Sequence, residues 1–121
     1  MRFAEFPTTV EAARACRENG IGVMMGAPNI IRGGSHSGNV SAAELAKMDL
    51  LDIISSDYVP SALLTSAFQL AALWHDLPRA IKCVTLAPAK AARLEDRGAL
   101  SVRLRGDVLR VAQYGDLARV K

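Results

Sequence analysis

The sequence predicts an α/β fold on a parallel sheet, followed by a small β region. Three observations carry that expectation. Short apolar runs at 2–6 (RFAEF), 21–25 (IGVMM) and 50–55 (LLDIIS) are the right length for strands, the last two of them buried on both faces. Helix-like stretches separate the runs, and strands joined by helical crossovers lie parallel. Beyond residue 95 the alternation stops and short β-like segments separated by turns take over.

Each element has its own local reason. RFAEF alternates in the β sense and stops before Pro7. The stretch at 8–20 reads as a helix, with Thr8 and Glu11 at capping-box spacing and Gly20 as terminator. Its small apolar residues Val10, Ala13 and Cys16 lie near one face, suited to packing on something flat. IGVMM is followed by a glycine-rich loop over 26–39. Ser41 and Glu44 repeat the capping logic for a helix at 41–49. After LLDIIS, the stretch 61–75 is a strong helix, with Leu63, Ala67, Leu70, Ala71 and Trp74 at helical spacing. LPRAIKCVT and APAKAARL read as two further short helices. The segments 96–102, 106–112 and 116–121 read as β. Two units are expected: 1–94 with the parallel sheet and 95–121 with the small β region.

Composition narrows the function classes. The chain has 121 residues, half of them hydrophobic, enough for one packed core. A net charge of +3 from scattered basic residues argues against nucleic acid, which favours a clustered basic face. No apolar stretch reaches the length of a membrane span, and no secretory signal is visible. Cys16 and Cys83 lack a CxxC partner and read as buried thiols of a cytoplasmic protein. Three buried strands do not close a barrel, so two sheet edges are left to pair elsewhere. Self-association, or cover from additional helices, is expected there, as for a piece of a larger design.

In parallel α/β sheets, ligands gather at the carboxyl ends of the strands. That rim brings forward Glu5, the 26–39 loop and Asp57 of SSDYVP. The loop carries Arg32, Gly33, Gly34, Ser35, His36, Ser37, Gly38 and Asn39. Ser35, Ser37 and Asn39 are donors for phosphate oxygens, and glycines let backbone N–H groups approach an anion. Arg32 adds a bidentate clamp. Asp57 is either an oxygen ligand or water-orienting base, or a cap for the helix after Pro60. Glu5 is either a site residue or a cap for the first helix. Asp52, inside the apolar run, is less well placed. His75, at the end of the long helix, reads as a helix-end residue. Spacing alone supports an anion-binding rim with one poised acid and names no reaction.

The combination EFPTT, GAPN, RGGSHSGN and SSDYVP closely resembles the phosphonate-metabolism branch of the amidohydrolase superfamily, from about residue 2 to the end. The resemblance implies strands six, seven and eight of a (β/α)₈ barrel plus part of a β-sandwich. It implies a metal-dependent hydrolase of the carbon–phosphorus lyase pathway that removes pyrophosphate from ribose 1-methylphosphonate 5-triphosphate. On that match Asp57 takes the strand-eight position that binds metal or activates water. Arg32, Ser35, His36 and Asn39 become candidate contacts to a phosphorylated substrate, and His36 and Glu5 further candidate metal ligands. The implied cofactor is a divalent metal, zinc or similar. The sequence departs from the superfamily in having no HxH pair and only two histidines. A catalytic zinc usually takes three protein ligands, so the chain is expected to bind metal weakly alone and to be inactive. The alternatives are a non-catalytic phosphate-binding or oligomerising module, and a piece of a cyclic-amide hydrolase. The donor-rich loop argues against the last, because an amide substrate has no use for it.

Overall fold

The computed structural model describes residues 2–33 and 38–121. Strands β1 (Arg2–Glu5), β2 (Ile21–Gly26) and β3 (Ile53–Ser55) form a parallel sheet in the order β1-β2-β3. Register runs from Arg2 opposite Ile21 to Glu5 opposite Met24, and from Met24 opposite Ile53 to Gly26 opposite Ser55. The carboxyl ends of all three strands therefore share one rim. Phe6 extends the first pairing by donating its N–H to the Met24 carbonyl at 2.9 Å.

Helix α1 (Val10–Glu18) is capped by Thr9, whose hydroxyl accepts from the Ala12 N–H at 3.1 Å. The expected Thr8–Glu11 capping box does not form: the cap is Thr9, and Ala12 at the third helical position has no side-chain acceptor to complete a box. The Thr8 carbonyl serves instead as acceptor for the Val40 N–H at 3.0 Å. Gly20, at φ 68°, turns the chain into β2 as expected. The segment read as an open loop starts with a helix, α2 (Ala27–Arg32). Pro28 in its first turn needs no N–H partner there and has its φ already set, while Gly33 at φ 75° closes it. Helix α3 (Ala42–Lys47) carries the expected capping box. Ser41 Oγ accepts from the Glu44 N–H at 3.0 Å, and Glu44 accepts from the Ser41 N–H at 2.9 Å.

Helices α4 (Ala62–Trp74), α5 (Leu77–Lys82) and α6 (Leu86–Ala91) follow. His75 ends α4 in the left-handed region, and Asp76 caps α5 through the Arg79 N–H. α1 and α2 pack on β2, α4 and α6 on β3, and α4 also meets α2, α3 and α5. The core so formed includes Val23, Met25, Leu45, Leu50, Leu51, Ile54 and Leu70, interleaved with alanines. Each large side chain contributes about 1.5–3 kcal/mol by leaving water.

At the amino ends of the strands, Asp52 joins two layers. One carboxylate oxygen accepts from the Val23 N–H at 2.8 Å and the other from Arg17 at 3.1 Å. The same Arg17 nitrogen donates to the Asp49 carbonyl at 2.7 Å. Nearby, the Trp74 indole N–H donates to the Ala46 carbonyl at 2.9 Å. Arg79 stacks over the Trp74 ring at 3.8 Å and reaches Asp49 at 2.7 Å.

The β region after residue 95 is smaller than expected. Of the β segments anticipated at 96–102, 106–112 and 116–121, the structure forms one hairpin, β4 (Val111–Tyr114) with β5 (Leu117–Val120), turned by Gly115 at φ 58°. The stretch 96–102 is not a strand, and Leu100 and Val102 are largely exposed. A strand needs a paired neighbour to satisfy its backbone, and this stretch finds none among the described residues. β5 packs against α4. The cysteines are both free, but only Cys83 is buried, since Cys16 is half-exposed on α1. Among the described residues, no helix is long and apolar enough to cross a membrane.

The two sheet edges differ. Ile54, in the middle of β3, donates its N–H to the Cys83 carbonyl at 3.0 Å, so the segment after α5 covers part of that strand. β1 pairs with β2 alone among the described residues, and Phe3 and Phe6 are exposed.

Candidate functional site

The rim at the carboxyl ends of the strands is where the candidate residues fall. Gly26 ends β2, and its position is crowded. A Cβ placed there would lie 3.0 Å from Asp57 Oδ2, 3.4 Å from Asp57 Cβ and 3.4 Å from Phe6 Cε1. The residues following β1, ending β2 and following β3 therefore meet at one point. Both Asp57 (φ 53°) and Phe6 (φ 54°) hold left-handed backbone conformations. For a bulky residue such as phenylalanine this is uncommon, and strain of this kind concentrates at functional sites.

Arg32, at the end of α2, donates from Nη1 to the Tyr58 hydroxyl at 2.8 Å. This bond joins the connection after β2 to the turn after β3, and sets the guanidinium beside the residue that follows Asp57. The Val40-to-Thr8 bond ties the same connection back to the region after β1. Asn29 Oδ1 accepts from the Ala42 N–H at 2.9 Å and fastens α2 to the start of α3.

Among the sequence-expected residues, Asp57 and Arg32 come to the same part of the rim. Asp57 does not cap α4, where Ser61 holds the cap position, so that alternative is removed. Glu5 ends β1 exposed, and Thr9 rather than Glu5 caps α1. The Glu5 side chain makes no hydrogen bond or ion pair with the described residues. Asn39 is exposed. Ser35 and His36 lie outside the described residues. Asp52 stands at the opposite end of the sheet, engaged by Val23 and Arg17, which makes it a structural carboxylate.

Sequence reasoning missed Gly26, Phe6 and Tyr58. Tyr58 lies inside the SSDYVP stretch but was not singled out. Nothing in its local spacing announces that Arg32, 26 residues earlier, reaches it.

Among the described residues, no three of His, Cys, Asp or Glu come together as a metal site. Asp57 supplies a hard oxygen ligand, but three protein ligands are the usual minimum for a catalytic zinc. The described residues on their own therefore do not fit a closed metal site. What the rim offers is one carboxylate beside an arginine and a phenol hydroxyl, a set suited to an anion and to a polarised water.

Comparison with known proteins supports the resemblance noted in the sequence. No family profile and no solved structure matches the chain. Over 109 residues, 88% of its length, the chain is 56% identical to alpha-D-ribose 1-methylphosphonate 5-triphosphate diphosphatase of Escherichia coli (strain K12). The match covers 29% of that diphosphatase, so the chain spans less than a third of its length.

Proposed function

We propose that this chain is the counterpart of the C-terminal third of a ribose 1-methylphosphonate 5-triphosphate diphosphatase. On this reading residues 1–94 are the last three βα units of a (β/α)₈ barrel, and 95–121 are part of a β-sandwich. The rim receives the phosphate chain of a phosphorylated substrate in the cytoplasm. Arg32, Ser35, His36 and Asn39 hold phosphate oxygens, and Asp57 orients the attacking water or contributes one ligand to a divalent metal. Further metal ligands come from outside these residues, so the chain alone binds the anion without turnover. The observation that carries this reading is the 56% identity across 109 residues. The Arg32–Tyr58 bond next to Asp57 supports it, because it puts a phosphate-binding group beside the candidate base.

The test has two parts. The purified chain, given the triphosphate and a divalent metal, releases no pyrophosphate. Calorimetric titration with inorganic pyrophosphate shows binding that Arg32→Ala weakens. Robust turnover by the chain alone contradicts the inactivity, and absence of pyrophosphate binding contradicts the anion rim.

A second reading rests on the β1 edge, where unpaired backbone groups lie beside exposed Phe3. Such an edge pairs readily with another strand. Self-association through it predicts a dimer or larger species in size-exclusion chromatography with light scattering. A stable monomer at micromolar concentration removes this reading.

A further inference from the structure

We infer that Tyr58 is a positioning residue of the anion site, one that holds the Arg32 guanidinium in place and adds a second donor to the same phosphate group. The inference rests on the anion-binding reading above and deepens it. The geometry is specific. Arg32 Nη1 donates to the Tyr58 hydroxyl at 2.8 Å, so the phenol oxygen is the acceptor of that bond. The hydroxyl's own proton finds no acceptor among the described residues. A phenol that accepts from a cation becomes a stronger donor, because hydrogen bonds in a chain polarise one another. An anion arriving beside Arg32 therefore meets a charged donor and a neutral one whose separation is already fixed. Arginine carries large rotamer freedom, and restraining one arm before binding lowers the ordering cost of the complex. Tyr58 is also next in sequence to Asp57, whose left-handed backbone sets the direction in which the chain leaves β3. The phenol, the guanidinium and the carboxylate thus depend on one turn.

Packing does not account for the tyrosine. Its side chain is exposed, at 65% of its full accessible area, and it belongs to no core cluster. The role assigned to it is in binding, and stability should be nearly indifferent to loss of the hydroxyl.

A double-mutant cycle on the full chain decides the matter, with inorganic pyrophosphate as probe and calorimetry as readout. Tyr58→Phe keeps the ring and removes the hydroxyl. It should weaken pyrophosphate binding about tenfold, as expected for a hydrogen bond to a charged group. Its urea midpoint should match that of the unsubstituted chain. Arg32→Ala should weaken binding at least as much. The double variant should be no weaker than Arg32→Ala with a further few-fold loss, less than the product of the single effects. Weakening by Arg32→Ala with normal affinity in Tyr58→Phe overturns the role of Tyr58 and leaves the anion rim standing. Fully multiplicative losses overturn the positioning argument in the same way. If the unsubstituted chain does not bind pyrophosphate, both readings fall together. If Tyr58→Phe lowers affinity and the urea midpoint in step, the hydroxyl is structural and the inference fails.

Discussion

Replacing Asp52 by alanine should destabilise the chain far more than replacing Asp57, although both are aspartates next to the same strand. The Asp52 carboxylate accepts the Val23 N–H at 2.8 Å, and Val23 is fully buried in β2. Without that acceptor a buried donor is left unpaired, at a cost of about 1–3 kcal/mol. The ion pair with Arg17 is lost too, but it is part-exposed and contributes only about 0–1 kcal/mol. Together these come to about 1–4 kcal/mol, a large share of the roughly 5–15 kcal/mol that holds a domain of this kind together. Urea unfolding followed by circular dichroism should show the midpoint falling by about 0.5–2 M, given a slope of about 2 kcal/mol/M. Arg17→Ala should cost less than about 1 kcal/mol, and Asp57→Ala, at an exposed position, should change stability by about 0.5 kcal/mol or less. If Asp52→Ala and Arg17→Ala cost the same, the Val23 bond contributes nothing and the argument is wrong. If Asp57→Ala costs more than Asp52→Ala, the division between structural and site carboxylate is reversed.

Gly98→Ala should be among the most damaging single-methyl changes. Gly98 sits at φ 101°, and an added Cβ would lie 2.9 Å from the Leu86 Cα and 3.1 Å from the Ala89 Cβ. Backbone strain and overpacking together predict a loss of about 2–5 kcal/mol, checked by the same urea titration. Gly26→Ala should be far milder. Its backbone, at φ −83°, suits any residue, and the gain of about 0.4–1 kcal/mol in chain entropy offsets crowding against Asp57. Stability within about 1 kcal/mol of the parent, with a moved Asp57 carboxyl resonance in NMR, is the expected result. The Cys83 thiol is pushed up to about 11 by burial, then by the Asp52 charge, with Arg79 opposing. Because the folded chain holds this proton more tightly than the unfolded one, its contribution is complete below pH 9 and is lost as pH rises toward 11. Cys83→Ala should show a flatter loss of stability across that window, and an alkylating reagent at pH 8 should modify Cys16 before Cys83.

Much of the sheet was legible in the sequence because its signals are local. RFAEF and IGVMM stop at a proline and a glycine, and both became strands within a residue of expectation. Ser41 and Glu44 marked a helix start because each side chain satisfies a backbone donor within the same turn. Thr8 and Thr9 show the limit of such reasoning. Either could cap α1, and the choice fell to Thr9 because Thr8 is engaged by Val40, a contact 32 residues away. α2 was hidden for a related reason. Its six residues are too few for a periodic pattern, and only Pro28 and Gly33 marked its ends. The β segments after 95 were overcalled because alternation resembles a strand whether or not a partner is present, and pairing is what makes one. At the site, Asp57 and Arg32 could be named from residue type and strand-end position. Tyr58 could not, because its importance lies in the company it keeps across the rim.

The two ends of this small sheet answer to different demands. Asp52, Arg17 and Val23 secure one end, and Asp57, Gly26 and Arg32 occupy the other. Along β2, Gly26 lies three residue steps beyond Val23, about 10 Å of extended strand. Changes that far apart with no shared partner combine almost independently. The rim can therefore be altered by substitution while the opposite end is left to keep the chain folded, and robustness gained there remains available to whatever chemistry the rim acquires.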